Sequence, residues 1–389
     1  MFPSLKDYNF YGKKTLVRCD FNISLENGKI LDDFKLQKSL ETIKYLKEKG
    51  AKIILISHLG RPEGKEKKRY SLKPIALKLE ELLTTQVKFI EKSFGEISKR
   101  EIEKIKEGEI VLLENLRLEK GEKENDEKFA QALASFGEVY VNEAFAVCHR
   151  KNASVVLLPK FLPHFAGLQL EKEVKILSRA LKNPLRPLSV IIGGVKIESK
   201  IKIIKKFLES ADHLLFGGEI ANVFLRVKKI CLAKPWPKED ICKIIEEIDL
   251  TNIKIHLPVD VLVSPNEKGD VYIRETGAGN IRQEENSYDI GQDTINLFSA
   301  IIKQSKTVIW AGPLGYFENE KFARGTRKIA EVIAQEKERL FSIAGGGETI
   351  FAINKFNLGN KFGYLSTGGG AMLEFLAGEK LPGLEALKN

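Results

Sequence analysis

The stretch SIAGGGETIFAINKF, Ser342–Phe356, decides how the rest of the chain is read. An apolar run of strand length stops at three glycines. A carboxylate, Glu348, follows at once, and a helical pattern begins. A strand that ends in glycine and feeds a helix is one β–α unit, and the bare backbone at its tip lets another group come close. LSVIIGG (188–194), DHLLFGG (212–218), TVIWAGP (307–313) and LSTGGGAML (365–373) end in the same way. In the first half KTLVRCDF (14–21), AKIILISHLG (51–60), EIVLLEN (109–115) and EVYVNEA (138–144) are strand-like. They alternate with amphipathic runs such as LQKSLETIKYLKEKG (36–50) and LKPIALKLEELL (72–83). Unbroken Val/Ile/Leu runs read as strands buried on both faces. Repeated strand–helix units then give parallel sheets.

The chain has 389 residues, more than one core usually serves. The expected fold is α/β, with two doubly wound, Rossmann-like parallel-sheet domains. The segment LQLEKEVKILSRALKN (168–183) has helical spacing and stops at Asn183-Pro184. No clear strand adjoins its N-terminal side, where PKFLPHFAG is punctuated by proline. It reads as a helix joining a domain over 1–167 to one over 184–369.

Hydrophobic residues make up 43% of the chain and charged ones 30%, enough for a large core and a soluble surface. The longest apolar runs are strand-sized, so no bilayer span is expected. The N-terminus MFPSLKDYNF lacks a signal-peptide layout. Cys19, Cys148, Cys231 and Cys242 show no CxxC and no metal-ligand spacing, as expected of reduced thiols in a cytoplasmic protein. The net charge of +10 suits anionic partners. Much of the excess, as in KIKIIKKFL (200–208), reads as a solvated helix face.

Ligands of open parallel sheets bind beyond the carboxyl ends of the strands, so the tips carry the functional information. The first-half tips RCDFN (18–22), SHLGRP (57–62), ENLRLEKGE (114–122) and NEAFAVCHRKNAS (142–154) gather Arg18, His58, Arg61, Arg117, His149 and Arg150, with Asp20 and Asn22 among them. Like charges repel unless an anion intervenes, and the arginine fork suits phosphate and carboxylate. A small polyanion is the expected ligand. The second-half tips are glycine, and Lys196 and Lys200 sit four apart at an expected helix start, hence on one face. One glycine pair means only a tight turn. Five such tips with two lysines point to a nucleotide. There is no P-loop. GAGNIR (277–282) mimics a dinucleotide fingerprint, but Arg282 occupies its third glycine position, which disfavours a dehydrogenase. No RNA-binding motif or stacking platform accompanies the charge, so nucleic acid is not the expected main partner. A polyanion in one half and a nucleotide in the other fit phosphoryl transfer, in an enzyme that closes around its substrates.

At these residues the chain resembles the phosphoglycerate kinase family, from near its N-terminus to LPGLEAL (381–387). RCDFN is similar to the family's RVDFN, SHLGRP and LLENLR match directly, and AFAVCHRKNAS is similar to AFGTAHRAHAS. IIGGVKIESK, LPVD (257–260), DIG (289–291), AGPLGYFE, GGGET and STGGGA complete the set. The resemblance implies transfer of the acyl phosphate of 1,3-bisphosphoglycerate to ADP with Mg²⁺, giving ATP and 3-phosphoglycerate, by a cytoplasmic monomer. It implies that Asp20, Asn22, Lys35, His58, Arg61, Arg117 and Arg150 hold phosphoglycerate. It assigns the nucleotide to Gly194, Lys196, Lys200, Gly217, Gly218, Pro313, Glu318, Gly345, Gly346, Gly347, Glu348 and Thr349, with Glu318 on the ribose and Glu348 at the metal. Lys35, Lys196, Gly346 and Gly369 act on the transferred group, with Gly368–Gly370 presenting backbone donors. It also implies that the tail, 370–389, returns to the first domain. Four departures stand out: Lys35 for arginine, Ala311 for asparagine in a WNGP motif, Asn152 for histidine, and Glu348 for aspartate. A diverged paralogue that binds these ligands without turnover is the alternative.

Overall fold

The computed structural model describes residues 2–26, 28–62, 67–231 and 237–388. The chain forms two compact units, Met1–Ile176 with Lys380–Asn389, and Leu177–Glu379. Each is built on a six-stranded parallel sheet.

In the first unit the sheet strands are β1 (Lys14–Arg18), β4 (Lys52–Ile56), β5 (Val87–Ile90), β6 (Ile110–Leu113), β7 (Val139–Asn142) and β8 (His164–Ala166). A two-residue hairpin, β2 (Leu25–Glu26) and β3 (Lys29–Ile30), lies outside it. The order is β5-β6-β4-β1-β7-β8. The central strands are buried along nearly their whole length, which is why they read as unbroken apolar runs. Leu36, Ile43 and Leu46 of the helix Phe34–Glu48, and Ile75, Leu79 and Leu83 of Lys73–Leu83, pack against Val17, Ile53 and Leu55. β8 falls in the proline-punctuated stretch where no clear strand is expected. It is an edge strand, and Pro163 precedes it and accepts from the Tyr140 N–H with its carbonyl. At an edge the missing proline N–H costs no ladder bond.

The helix Leu168–Lys182 carries the chain from one unit into the other. Buried Glu143 holds its start. The Glu143 carboxylate accepts from Thr42 Oγ1 at 2.6 Å and from the backbone N–H groups of Gln169 and Leu170 at 3.3 Å. Burial still pushes this carboxyl up to about 8.

The second unit has β9 (Leu188–Ile192), β10 (His213–Phe216), β11 (Ile255–His256), β15 (Thr307–Ala311), β16 (Phe341–Gly345) and β17 (Tyr364–Ser366), in the order β11-β10-β9-β15-β16-β17. The order reverses between β9 and β15, and the crevice beyond such a switch point is where ligands bind. Strands β12 (Asp260–Ser264), β13 (Arg274–Gly277) and β14 (Asn286–Ile290) form a separate antiparallel sheet. The repeated β–α pattern does not anticipate it. Its ends explain two motifs. The Asp260 carboxylate of LPVD accepts from the N–H groups of Asp293 and Thr294, capping the helix Gln292–Gln304. Asp289 of DIG, buried and pushed up to about 7, accepts from Gly325 N at the start of Arg324–Gln335.

Two expectations need correction. Lys196 and Lys200 do not share a helix face: Lys196 lies in irregular backbone, residues 198–200 form a turn, and the helix is Ile201–Ser210. The return of the tail begins at Lys380, not at 370, because Gly370–Leu376 is a helix of the second unit that packs on Ile201–Ser210. Gly383 then docks on the first unit, its N–H donating to Cys148 O at 2.8 Å. A Cβ there would meet the Cys148 backbone at 2.9 Å.

Candidate active site

In the first unit the tips of β1, β4, β6 and β7 bring the expected residues together. Arg61, Arg117 and Arg150 line one open hollow of about 530 Å³, joined by Lys123, Lys151 and Asn152. Among the described residues no carboxylate lines it. Arg117 is largely buried and donates to Gly60 O at 2.7 Å. Burial, and after it the neighbouring charges of Arg150 and Arg18, pull its guanidinium down to about 10. Lys123 and Lys151 are exposed and have no ion pair among the described residues. Sequence reasoning missed both. Their signal was present in adjacency to the basic motifs, but isolated lysines read as surface.

Asp20 organises the inner side. Its carboxylate accepts from Lys35 Nζ at 2.6 Å and from the Asn22 N–H, while Asn22 Oδ1 accepts from Gly60 N at 2.8 Å. His58 is buried, with Nδ1 3.9 Å from Asp20 and 3.1 Å from Arg18 Nη2. Burial, together with Arg18 and Arg117, holds its imidazole well below the usual range. Arg18 does not join the cationic face. It is fully buried, donates to Ser154 Oγ and Cys19 O, and lies 3.7 Å from buried Glu122. Glu122 in turn accepts from Ser154 Oγ at 2.7 Å, so the pair is embedded in hydrogen bonds. His149 stands beside Arg150, 3.2 Å from its Nε, and burial lowers it to about 4.

In the second unit a cleft of about 400 Å³ opens beyond β9, β10 and β15. Its wall includes Gly194, Gly218, Pro313, Glu318 and Glu348, all expected at a nucleotide site. It also includes Glu219, Arg226, Asn286, Tyr288 and Tyr316, which were not. Buried Lys200 donates to Gly193 O at the switch point, and burial, opposed by Glu348, lowers its ammonium to about 8. Lys196 is exposed.

The glycines divide into two groups. Gly194, Gly217 and Gly218 do not offer their N–H groups to a ligand, contrary to the sequence expectation. Those groups already donate to Pro313 O, Ile192 O and Leu314 O. These glycines exist because the strand tips touch: a Cβ on Gly193 would lie 2.1 Å from Pro313 O, and one on Gly217 2.3 Å from Leu314 Cδ2. A Cβ on Gly345 would meet the end of the Met372 side chain, at 2.3 Å from its Sδ. Gly346 and Gly347 are different. Gly346 takes φ +101° at the start of the helix Gly347–Lys355, and a Cβ on Gly347 would meet nothing within 4 Å. A helix start leaves its first N–H groups without intrahelical partners. Thr349 faces inward, its Oγ1 accepting from Gly312 N at 2.8 Å. Gly369, at φ +45°, starts the helix Gly370–Leu376 with open space around it. Gly368 N–H is already given to Ser366 Oγ.

Glu318 and Glu348 are exposed carboxylates of the same cleft, and Glu348 adds to the burial that raises Glu318. Carboxylate oxygens are the hard donors that suit a cation carried in with phosphates. No cluster of three or more His, Cys, Asp or Glu residues able to hold a metal occurs among the described residues. Any Mg²⁺ ion would therefore take its remaining ligands from the nucleotide and water.

Comparison with known proteins identifies the family. The phosphoglycerate kinase family profile matches residues 5–379. A phosphoglycerate kinase of Dictyoglomus turgidum is 43% identical, over 99% of this chain and 98% of its own, and one of Borreliella burgdorferi is 40% identical over 99% of both. The solved phosphoglycerate kinase of Pyrococcus horikoshii superposes with a TM-score of 0.88 at 34% identity, covering 100% of this chain and 98% of its own. That of Coxiella burnetii gives 0.83 at 35%, covering 100% and 99%. The chain belongs to the phosphoglycerate kinase family, and its reaction is phosphoryl transfer between 1,3-bisphosphoglycerate and ADP.

Proposed function

We propose that the two sites divide the reactants between them. The hollow of the first unit takes phosphoglycerate, and the cleft of the second takes the nucleotide. The observation that carries this reading is the gathering of Arg61, Arg117, Arg150, Lys123 and Lys151 around one hollow. Such a gathering of cationic side chains suits an anion of several charges. Arg61, Arg117 and Arg150 hold the phosphate of phosphoglycerate bidentately, while Asn22 and the imidazole of His58 orient its carboxyl end. Lys35, placed by Asp20, faces the transferring group.

In the cleft, Gly194, Gly218 and Pro313 shape the floor, and Glu318 takes the ribose. The N–H groups at Gly346–Thr349 and Gly369 supply donors to the phosphate chain. Glu348 would hold Mg²⁺, which would supply charge neutralisation to the nucleotide phosphates. Lys196 and Lys200 neutralise the same region from the protein. Transfer to the carboxylate then needs little covalent chemistry from the protein, only alignment and charge. The reaction is placed in the cytoplasm, where the four free thiols stay reduced. No described helix is long and apolar enough to cross a membrane.

A coupled assay with 3-phosphoglycerate and MgATP tests this division. Arg150→Ala is expected to raise KM for 3-phosphoglycerate with KM for ATP unchanged, and Glu318→Ala the reverse. If both variants moved the same KM, the division would be wrong.

A further inference from the structure

The nucleotide cleft holds a charged pair that phosphoryl transfer does not require. The helix Gly218–Val227 starts at the β10 tip and runs along the cleft. Glu219, Asn222 and Arg226 stand at helical spacing on one face of it. Arg226 lies about 12 Å along the helix from its start, at 1.5 Å per residue. Its side chain leans back toward the helix start, where its guanidinium meets Glu219 beside Asn286, Ser287 and Tyr288 of the cleft wall. It is 3% exposed, yet lines the cleft. Its Nη1 donates to Glu219 Oε1 at 2.5 Å, whereas its buried Nε–H has no partner among the described residues. Glu219 Oε2 accepts from Asn222 Nδ2 at 2.9 Å, and the same amide donates to Ser287 O at 3.1 Å, which fixes the carboxylate against β14.

A buried guanidinium N–H without an acceptor is destabilising, so this group is incomplete until something binds. A carboxylate has about four lone-pair sites, and Glu219 uses only two here. Acceptor and donor thus stand side by side on one wall of the cleft. The hydrogen-bonding edge of a purine is complementary to that pattern. Adenine brings one amino donor beside one ring acceptor. Guanine brings a carbonyl acceptor and two adjacent N–H donors, which a carboxylate accepts together.

We propose that Glu219 and Arg226 form a base-reading pair, and that they make guanine nucleotides ligands at least as good as adenine nucleotides. The proposal rests on the assignment of this cleft to the nucleotide. It is tested by calorimetric binding of ADP, GDP and IDP to the full-length protein and to Glu219→Ala and Glu219→Gln, with turnover of ATP and GTP measured alongside. GDP is expected to bind at least as tightly as ADP. IDP, which lacks the amino donor, should fall between GDP in the wild type and GDP in the variants. Glu219→Ala should weaken GDP by about tenfold or more and ADP by less, the loss expected for a buried charged hydrogen bond. KM for 3-phosphoglycerate should stay unchanged. GDP binding tenfold weaker than ADP in the wild type overturns the pair, and that measurement needs no variant. So does an equal loss for both nucleotides in Glu219→Ala. Failure to bind any of the three overturns the cleft assignment itself, a different result from loss of base preference.

Discussion

The buried Arg18 guanidinium donates from Nη2 to Nδ1 of His58 across 3.1 Å. Arginine has no lone pair to offer, so Nδ1 must be the acceptor and the imidazole proton must sit on Nε2. His58 is therefore a neutral donor, held so by burial and by Arg18, Arg117, Lys35 and Arg150 around it.

Phosphoglycerate binding should consequently show no inflection from His58 near pH 6.5, and His58→Gln, another neutral donor, should raise KM by no more than about fivefold. A steady-state KM profile from pH 5.5 to 8 checks both. Stability should respond where binding does not. The unfolded chain binds a proton at this histidine near 6.5 and the native one does not, so unfolding free energy should fall as pH drops below 6.5. Denaturant titrations should find that fall reduced in His58→Gln.

Lys200 offers the opposite case, a charge kept in an unfavourable place. Burial lowers its ammonium to about 8, so activity should decline as pH rises through that value in the free enzyme. Between about 8 and 10.5 the unfolded chain holds this proton and the native chain does not, so this group makes stability rise with pH across that window. Lys200→Met should lose at least about a hundredfold in kcat, the scale of one electrostatic contact to the transition state. It should also flatten the stability profile above pH 8. Retained kcat would remove Lys200 from the reaction.

Asn152 is buried in the wall of the basic hollow, its amide donating to Glu122 O at 3.2 Å while its Oδ1 has no partner among the described residues. It contributes no charge, and Lys151, its neighbour in sequence, lines the same hollow. Lys151→Ala should raise KM for 3-phosphoglycerate about three- to tenfold, weaken its salt dependence, and leave KM for ATP alone. An unchanged salt dependence would mean that the lysine is only a solvated surface group.

Gly193→Ala should be severely destabilising although no ligand touches the added methyl. Its Cβ would lie 2.1 Å from Pro313 O and 2.7 Å from Gly312 O, both backbone atoms that cannot swing away. A loss of about 1–3 kcal/mol or more is expected by equilibrium denaturation, as for overpacking elsewhere.

That residue also marks what the sequence could and could not reveal. Buried parallel strands announce themselves by unbroken apolar runs, so the inner strands of both sheets were readable, whereas edge strands β5 and β11 were too short and mixed to read, β8 was hidden by prolines, and the antiparallel sheet by its polar strands β13 and β14. The glycine tips were legible as close approaches, but not what approaches. At Gly193 and Gly217 it is another strand tip, and among the described glycine tips the space is open at Gly347 and Gly369. Composition cannot separate these cases, because both demand the absence of a side chain. Arg18 misleads in the same way. A strand-end arginine reads as a ligand contact, and only the position of Glu122, more than a hundred residues away in sequence, shows that it is paired inside. Glu219 and Arg226 carried no motif at all. Their meaning depends on β14 closing the other side of the cleft.

Lys35 is the departure that bears most directly on rate. Its Nζ is committed to Asp20 Oδ2 at 2.6 Å and to Asn22 O at 3.2 Å, which uses two of three N–H donors and leaves one for the migrating group. A guanidinium could keep the Asp20 contact on one edge and present two further donors in a plane, the geometry that phosphoryl oxygens accept. Lys35→Arg is therefore expected to raise kcat by about three- to tenfold with KM for 3-phosphoglycerate within about twofold, since charge is conserved and only transition-state contacts are added. Single-turnover measurement separates this gain from product release. An equal or lower chemical rate would show that the ammonium, held by Asp20 and Asn22, already sits where the transferred group needs it.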